Sequence, residues 1–182
     1  DRYFPVDSLN LYWDELVGRK YILYVPNSGH EIADIPFVIR SVAALNRDAT
    51  GISALPAVAW AFLSADGVLV LCVPADPAPV RVRAWIATAA TRDFRDSRWE
   101  PRPVEGAHRS TGAGNGESGA VNVLRLPAPE RGYMAVFAEL TFGRRRGAFA
   151  LSTSVAILGT PGAPVSTPIP RGMPGTCPAG IG

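Results

Sequence analysis

Lys20-Tyr21-Ile22-Leu23-Tyr24-Val25-Pro26-Asn27-Ser28-Gly29-His30 is a strand-like run that stops in a tight turn and presents a histidine. Its first six residues are rich in β-branched and aromatic types; Pro26 cannot extend a ladder, and Asn27 and Gly29 tolerate positive φ. The reading is a strand over residues 20–25 and then a loop, which puts His30 beyond the strand's C-terminal end. In open α/β sheets that edge is where sites are built, and a neutral imidazole there takes up a proton near pH 7. His30 is therefore the candidate catalytic base. The competing reading is a polar loop histidine with no catalytic part.

Upstream, Asp7 or Ser8 can cap a helix whose apolar positions Leu9, Tyr12, Trp13 and Leu16 have helical spacing, with Gly18 just past its end. Downstream, Asp34 is a good N-cap, Pro36 is tolerated in a first turn, and Ile35, Ile39, Val42 and Leu45 mark a helix face expected to be buried. Loop, helix, strand, histidine loop, helix is the alternation of a doubly wound α/β sheet met at its end.

From about Leu55 the pattern changes. Residues 57–63, 68–73, 80–88, 120–126, 133–141 and 148–158 are short strand-like runs separated by turn residues. They predict an antiparallel β-sandwich domain with Trp60, Phe62, Trp85 and Phe137 among its core aromatics. Asp66-Gly67 reads as a hairpin turn, and Gly143-Arg144-Arg145-Arg146-Gly147 as a second one whose arginines point apart into solvent. Residues 105–119 are glycine-rich and read as a mobile loop. Within it, Gly116-Glu117-Ser118-Gly119-Ala120 approaches a nucleophile elbow but has Ala120 where the final glycine belongs, with no strand before it. The expected organisation is residues 1–50 as the C-terminal part of a doubly wound α/β domain, 55–158 as the β-sandwich, and 159–182 as a disordered Pro/Gly-rich tail.

Lys+Arg 18 against Asp+Glu 16 leaves a net charge of +2. That is too small to name nucleic acid or an anionic membrane as an obligatory partner. No apolar run approaches the ~20 residues of a membrane span. Cys72 and Cys177 could pair in an oxidising compartment, but their spacing does not require it. His108, the other histidine, has no acidic or cysteine spacing for a metal, so no metal site and no cofactor are expected. The chain opens at Asp1, without an initiator Met or a leader pattern, and reads as a piece of something longer.

An α/β-type hydrolase orders its triad as nucleophile, acid, histidine, with the last two after successive late strands. Asp1 and His30 fit those two places, Asp1 orienting the imidazole and stabilising its charged form. Asp7 is the rival acid, although it stands where a helix cap is needed.

At these residues the sequence resembles the PhoPQ-activated pathogenicity-related protein family. Asp1–Phe4 matches its Asp-Arg-Tyr-Phe type segment, Leu16–Tyr21 its Leu-x-Gly-x-Lys-Tyr turn, and Pro26–His30 its Pro-Asn-x-Gly-His loop; Trp85, Asp93-Phe94-Arg95 and Trp99 resemble its β-rich pattern. The resemblance implies an α/β-hydrolase-like fold, secretion or a periplasmic location, and a serine nucleophile upstream that is not in this chain. Two functions remain open. One is the C-terminal part of a serine hydrolase acting on an unidentified small-molecule or peptide substrate, with the upstream hydrolase half of the same protein as partner and the 182-residue chain alone inactive. The other is a non-catalytic secreted effector or binding protein on a hydrolase scaffold.

Overall fold

The computed structural model describes residues 3–65, 68–104, 107–108 and 120–160. These residues form one α-helix, α1 (Ile35–Ala49), and ten strands. The strands are β1 (Ala57–Val58), β2 (Ala61–Ala65), β3 (Val68–Asp76), β4 (Arg81–Ala89), β5 (Glu100–Pro103), β6 (Ala107–His108), β7 (Ala120–Pro127), β8 (Tyr133–Phe142), β9 (Phe149–Ser152) and β10 (Ala156–Gly159). One sheet has the order β1-β3-β7-β6 with β2 also on β3, and the other has β10-β8-β4-β5 with β9 also on β8.

Alternation of side chains along each strand sends Phe62, Leu69, Leu71 and Val73 of the first sheet into the same buried cluster as Ala84, Ile86, Val136 and Leu140 of the second. The two sheets thus close face to face over a shared core. Strand β8 is buried on both sides. Met134, Val136, Ala138 and Leu140 enter the shared core, while Ala135 and Phe137 join a second cluster with Phe94, Val155 and Ile157, over which Val6, Tyr24 and Trp99 pack. A strand covered on both faces reads as a continuous apolar run, as residues 133–138 do; Glu139, which ends the run, is buried against Arg83 at 2.6 Å.

Two of the expected runs are broken, each for a visible reason. Residues 57–63 divide at Ala59-Trp60, where the Trp60 indole turns inward and donates to Ser154 Oγ at 2.8 Å. Residues 148–158 divide at Thr153–Val155, three residues facing only Phe137 and Ala138 between the pairs Glu139↔Ser152 and Val136↔Ala156. The extra residue is accommodated as a bulge in which the Ala138 N–H donates to Thr153 Oγ1 at 2.9 Å.

The expected end of a doubly wound α/β sheet is not what the chain forms: all strand pairings among the described residues are antiparallel. Residues 20–25 are extended, yet their ladder contact is one antiparallel bridge, Ile22 to Ser152. The Ser152 N–H donates to the Ile22 carbonyl at 2.7 Å and the Tyr24 N–H to Ser152 Oγ at 3.1 Å. β-propensity marks a residue that suits a half-buried extended surface, and here β9 supplies that surface in place of a parallel neighbour. The helix expected from Asp7 or Ser8 onward is only a 3-10 turn, Ser8–Leu11. So short a helix is marginal by itself. Tertiary contacts take its residues instead: Asn10 donates to the Val155 carbonyl at 2.8 Å, and Trp13 packs on Trp60 with ring centroids 5.9 Å apart.

Helix α1 forms as its caps require, with the Phe37 N–H donating to Asp34 Oδ1 at 3.0 Å and Pro36 in the first turn. Its apolar stripe, however, faces outward. Ile35, Ile39, Val42 and Leu45 are 57%, 61%, 55% and 42% exposed, and the helix buries Ser41, Ala44 and Asp48. The Ala150 N–H donates to Ser41 Oγ at 3.1 Å, while Asp48 accepts from Arg19 Nη1 at 2.8 Å and from the Leu55 N–H at 3.0 Å. The helix is thus docked through hydrogen bonds along its small and polar face. Asp48→Ala removes the acceptor of the part-buried Leu55 N–H and of the Arg19 guanidinium, and is expected to cost about 1–2 kcal/mol, read as a lowered denaturant midpoint.

Cys72 is fully buried on β3 and disulfide-bonded, and Cys177 lies outside the described residues. So do Asp1, Asp66-Gly67, most of residues 105–119, including the Gly116–Gly119 stretch, and residues 161–182.

Candidate functional site

His30 stands on an exposed loop at the edge of an open cleft of about 1140 Å³. One wall is the N-terminal segment with Tyr3 and Phe4, the floor is the extended run through Tyr24 with Phe137 beneath it, and the opposite wall is the β4–β5 loop with Phe94, Arg95 and Trp99. The His30 ring meets Tyr3 edge-on, with centroids 5.1 Å apart and planes at 67°. A smaller hollow of about 520 Å³ adjoins it and shares Tyr3, Val6 and Phe94.

The candidate acids part company. Asp1 lies outside the described residues. Asp7 occupies the cap position of the 3-10 turn but makes no capping bond; its carboxylate accepts from Arg92 Nη2 at 2.7 Å. Phe94 is buried at the base of the β4–β5 loop, and Arg95 is held beside the cleft by Asp93, Nε donating to Oδ1 at 2.8 Å. The two serines whose hydroxyl bonds are resolved there are committed to backbone: Ser28 donates to the Glu31 carbonyl at 3.2 Å and Ser97 to the Thr88 carbonyl at 3.0 Å. His108 lies in β6, paired with Val121 of β7, and among the described residues no three His, Cys, Asp or Glu side chains gather as metal ligands.

Tyr24 forms the most constrained part of the floor. Its ring packs on Phe137 with centroids 5.0 Å apart, and its buried hydroxyl finds no hydrogen-bond partner among the described residues. Burial above all, with Tyr12 and Asp7 adding to it, raises the phenol well above its ordinary value of 10.0. The neutral phenol therefore contributes its stability in full below about pH 10, and the contribution is lost as pH climbs toward the folded-state value. Tyr24→Phe is expected to hold stability at neutral pH within about 1 kcal/mol, because it deletes an unpartnered buried hydroxyl. It should also flatten the alkaline loss; denaturant midpoints at neutral and strongly alkaline pH check both.

Reading the sequence alone assigned no site role to the β4–β5 loop or to Tyr24. The available signal was the cluster Asp93-Phe94-Arg95 and Trp99, conspicuous for aromatic and basic residues in a loop. In chemical terms the cleft offers an imidazole, guanidinium groups at its rim and a floor of aromatic rings, which suits an apolar or aromatic ligand with a polar or anionic end.

A family model described as PhoPQ-activated pathogenicity-related protein matches residues 1–95, just over half of the chain, a span that includes the His30 loop, α1 and the Phe94-Arg95 wall. No curated protein and no solved structure matches the chain.

Proposed function

From the premise that this chain belongs to the PhoPQ-activated pathogenicity-related protein family, we propose that it is the part of a secreted or periplasmic serine hydrolase that carries the general base, His30, and its orienting acid, Asp1. The observation that carries this reading is the placement of His30, exposed at the edge of a large cleft with an aromatic floor rather than packed in a core. In this reading the neutral imidazole removes a serine proton and is then stabilised as imidazolium by the carboxylate of Asp1. The serine and the oxyanion-binding amides come from the upstream half of the same protein, and the substrate is a small molecule or peptide that fills the cleft. The disulfide at Cys72 supports an oxidising location. No helix among the described residues is long and apolar enough to cross a membrane.

The outward apolar face of α1 supports the participation of an upstream half. Four large aliphatic side chains in register on one helix form a stripe of the kind that is ordinarily covered. Substituting Ile39→Lys and Val42→Glu in the 182-residue chain is expected to change its stability by no more than about 0.5 kcal/mol while reducing its self-association; sedimentation and denaturant unfolding report the two quantities. The hydrolase reading is tested by covalent capture of the full-length protein with a fluorophosphonate probe, wild type against His30→Ala. Absence of capture by correctly folded wild-type protein would favour a secreted effector or binding protein on the same scaffold.

A further inference from the structure

Asn27 ties the His30 loop to the β4–β5 loop that forms one wall of the cleft. Its φ is +54°, in the left-handed region that Asn tolerates better than other non-glycine residues. Its carboxamide makes two hydrogen bonds to the backbone of one distant residue: Nδ2 donates to the Trp99 carbonyl at 2.9 Å, and Oδ1 accepts from the Trp99 N–H at 2.8 Å. The side chain therefore imitates the peptide group of a neighbouring strand, and the orientation of the amide is dictated, because turning it over would set donor against donor and acceptor against acceptor. Trp99 is itself anchored, its ring meeting Phe137 edge-on with centroids 5.2 Å apart just before β5 begins. Beyond Asn27 the loop is closed a second time, the Ser28 hydroxyl donating to the Glu31 carbonyl and accepting from the Ala33 N–H at 2.8 Å. His30 lies inside that closure.

We propose that Asn27 is a positioning residue: by clamping the His30 loop to Trp99 it gives the cleft one shape and the imidazole one placement before a ligand arrives. This deepens the reading of His30 as a base and rests on it. Two bonds to a single rigid partner hold a loop better than two independent contacts, since ordering one side chain serves both. A base held in place is worth more than one that must be found by a mobile loop, because misplacement by about 1 Å already costs on the order of a hundredfold in rate.

The competing explanation of Asn27 is its backbone alone, a residue chosen for positive φ. Asn27→Gly separates the two, because glycine keeps that conformation and deletes the clamp. In the 182-residue chain the variant is expected to speed hydrogen exchange of the Trp99 amide by about tenfold or more and to weaken the proton contacts between the His30 and Tyr3 rings. Exchange of the Ala138 amide, bonded to Thr153 Oγ1, should not change, which certifies the fold. In the full-length protein the same variant should slow probe capture by about 10–100-fold with an unshifted pH midpoint. Unchanged Trp99 exchange would overturn the clamp. Fast Trp99 exchange with the His30–Tyr3 contact intact would overturn the positioning role. Normal capture by His30→Ala refutes the catalytic reading and with it any catalytic use of the clamp, whereas the two measurements on the chain judge the clamp independently.

Discussion

Phe137→Ala is expected to destabilise the chain by about 3–5 kcal/mol, the range for removing a fully buried aromatic ring from a packed core. Phe137 is 1% exposed, lies in the middle of β8, and is paired with Trp85 on β4. Its ring contacts both Tyr24 at 5.0 Å and Trp99 at 5.2 Å. Those two contacts tie the extended N-terminal run and the β4–β5 loop to the second sheet, so the loss is both of core volume and of the support beneath the cleft. Phe137→Leu, which retains most of the volume, should cost about 1–1.5 kcal/mol. Denaturant unfolding decides the matter: midpoints in the order wild type, Leu, Ala are expected, and an Ala variant within about 1 kcal/mol of wild type would mean that the second cluster does not hold the cleft.

His30→Ala is expected to lower the rate of fluorophosphonate capture by the full-length protein by at least about a thousandfold, with no comparable loss of stability. The first part follows from the chemistry, since a serine attacks at neutral pH only when a base removes its proton. The second follows from exposure: an alanine on that loop removes an edge contact with Tyr3 and no core packing. The 182-residue chain by itself is expected to capture no probe. Each missing component of a triad costs orders of magnitude, and in this reading the nucleophile and the oxyanion-binding amides are supplied from outside it. Equal capture by wild type and His30→Ala would reduce His30 to a polar loop residue.

The site and the fold were legible in the sequence to different degrees. The loop at residues 26–30 announced itself because Pro26, Asn27 and Gly29 each have a local reason to stop an extended run, and local reasons survive folding. Asn27 was visible as a turn residue but not as a clamp, because its partner Trp99 is 72 residues away and no local pattern links them. The same limit hid the Arg92–Asp7 pair, which takes Asp7 away from the capping duty its position suggested.

What the sequence determined by itself was where chain segments are extended, where they turn and where a helix is capped. Alternating apolar residues, glycine and proline punctuation, and Asp34 before Pro36 act within a few residues of themselves, and β3, β4, β8 and α1 stand where those signals lie. What only the tertiary structure decided was which surface each segment meets. The apolar stripe of α1 predicts a face to be covered, but the helix docked through Ser41 and Asp48 because their hydrogen bonds to Ala150, Arg19 and Leu55 could be made there. Likewise the apolar run at residues 20–25 was equally suited to a parallel sheet or to the edge of β9, since hydrophobic periodicity records how much of a segment is buried and not against what. The antiparallel bridge from Ile22 to Ser152 settled that choice, and with it the position of the His30 loop opposite Trp99.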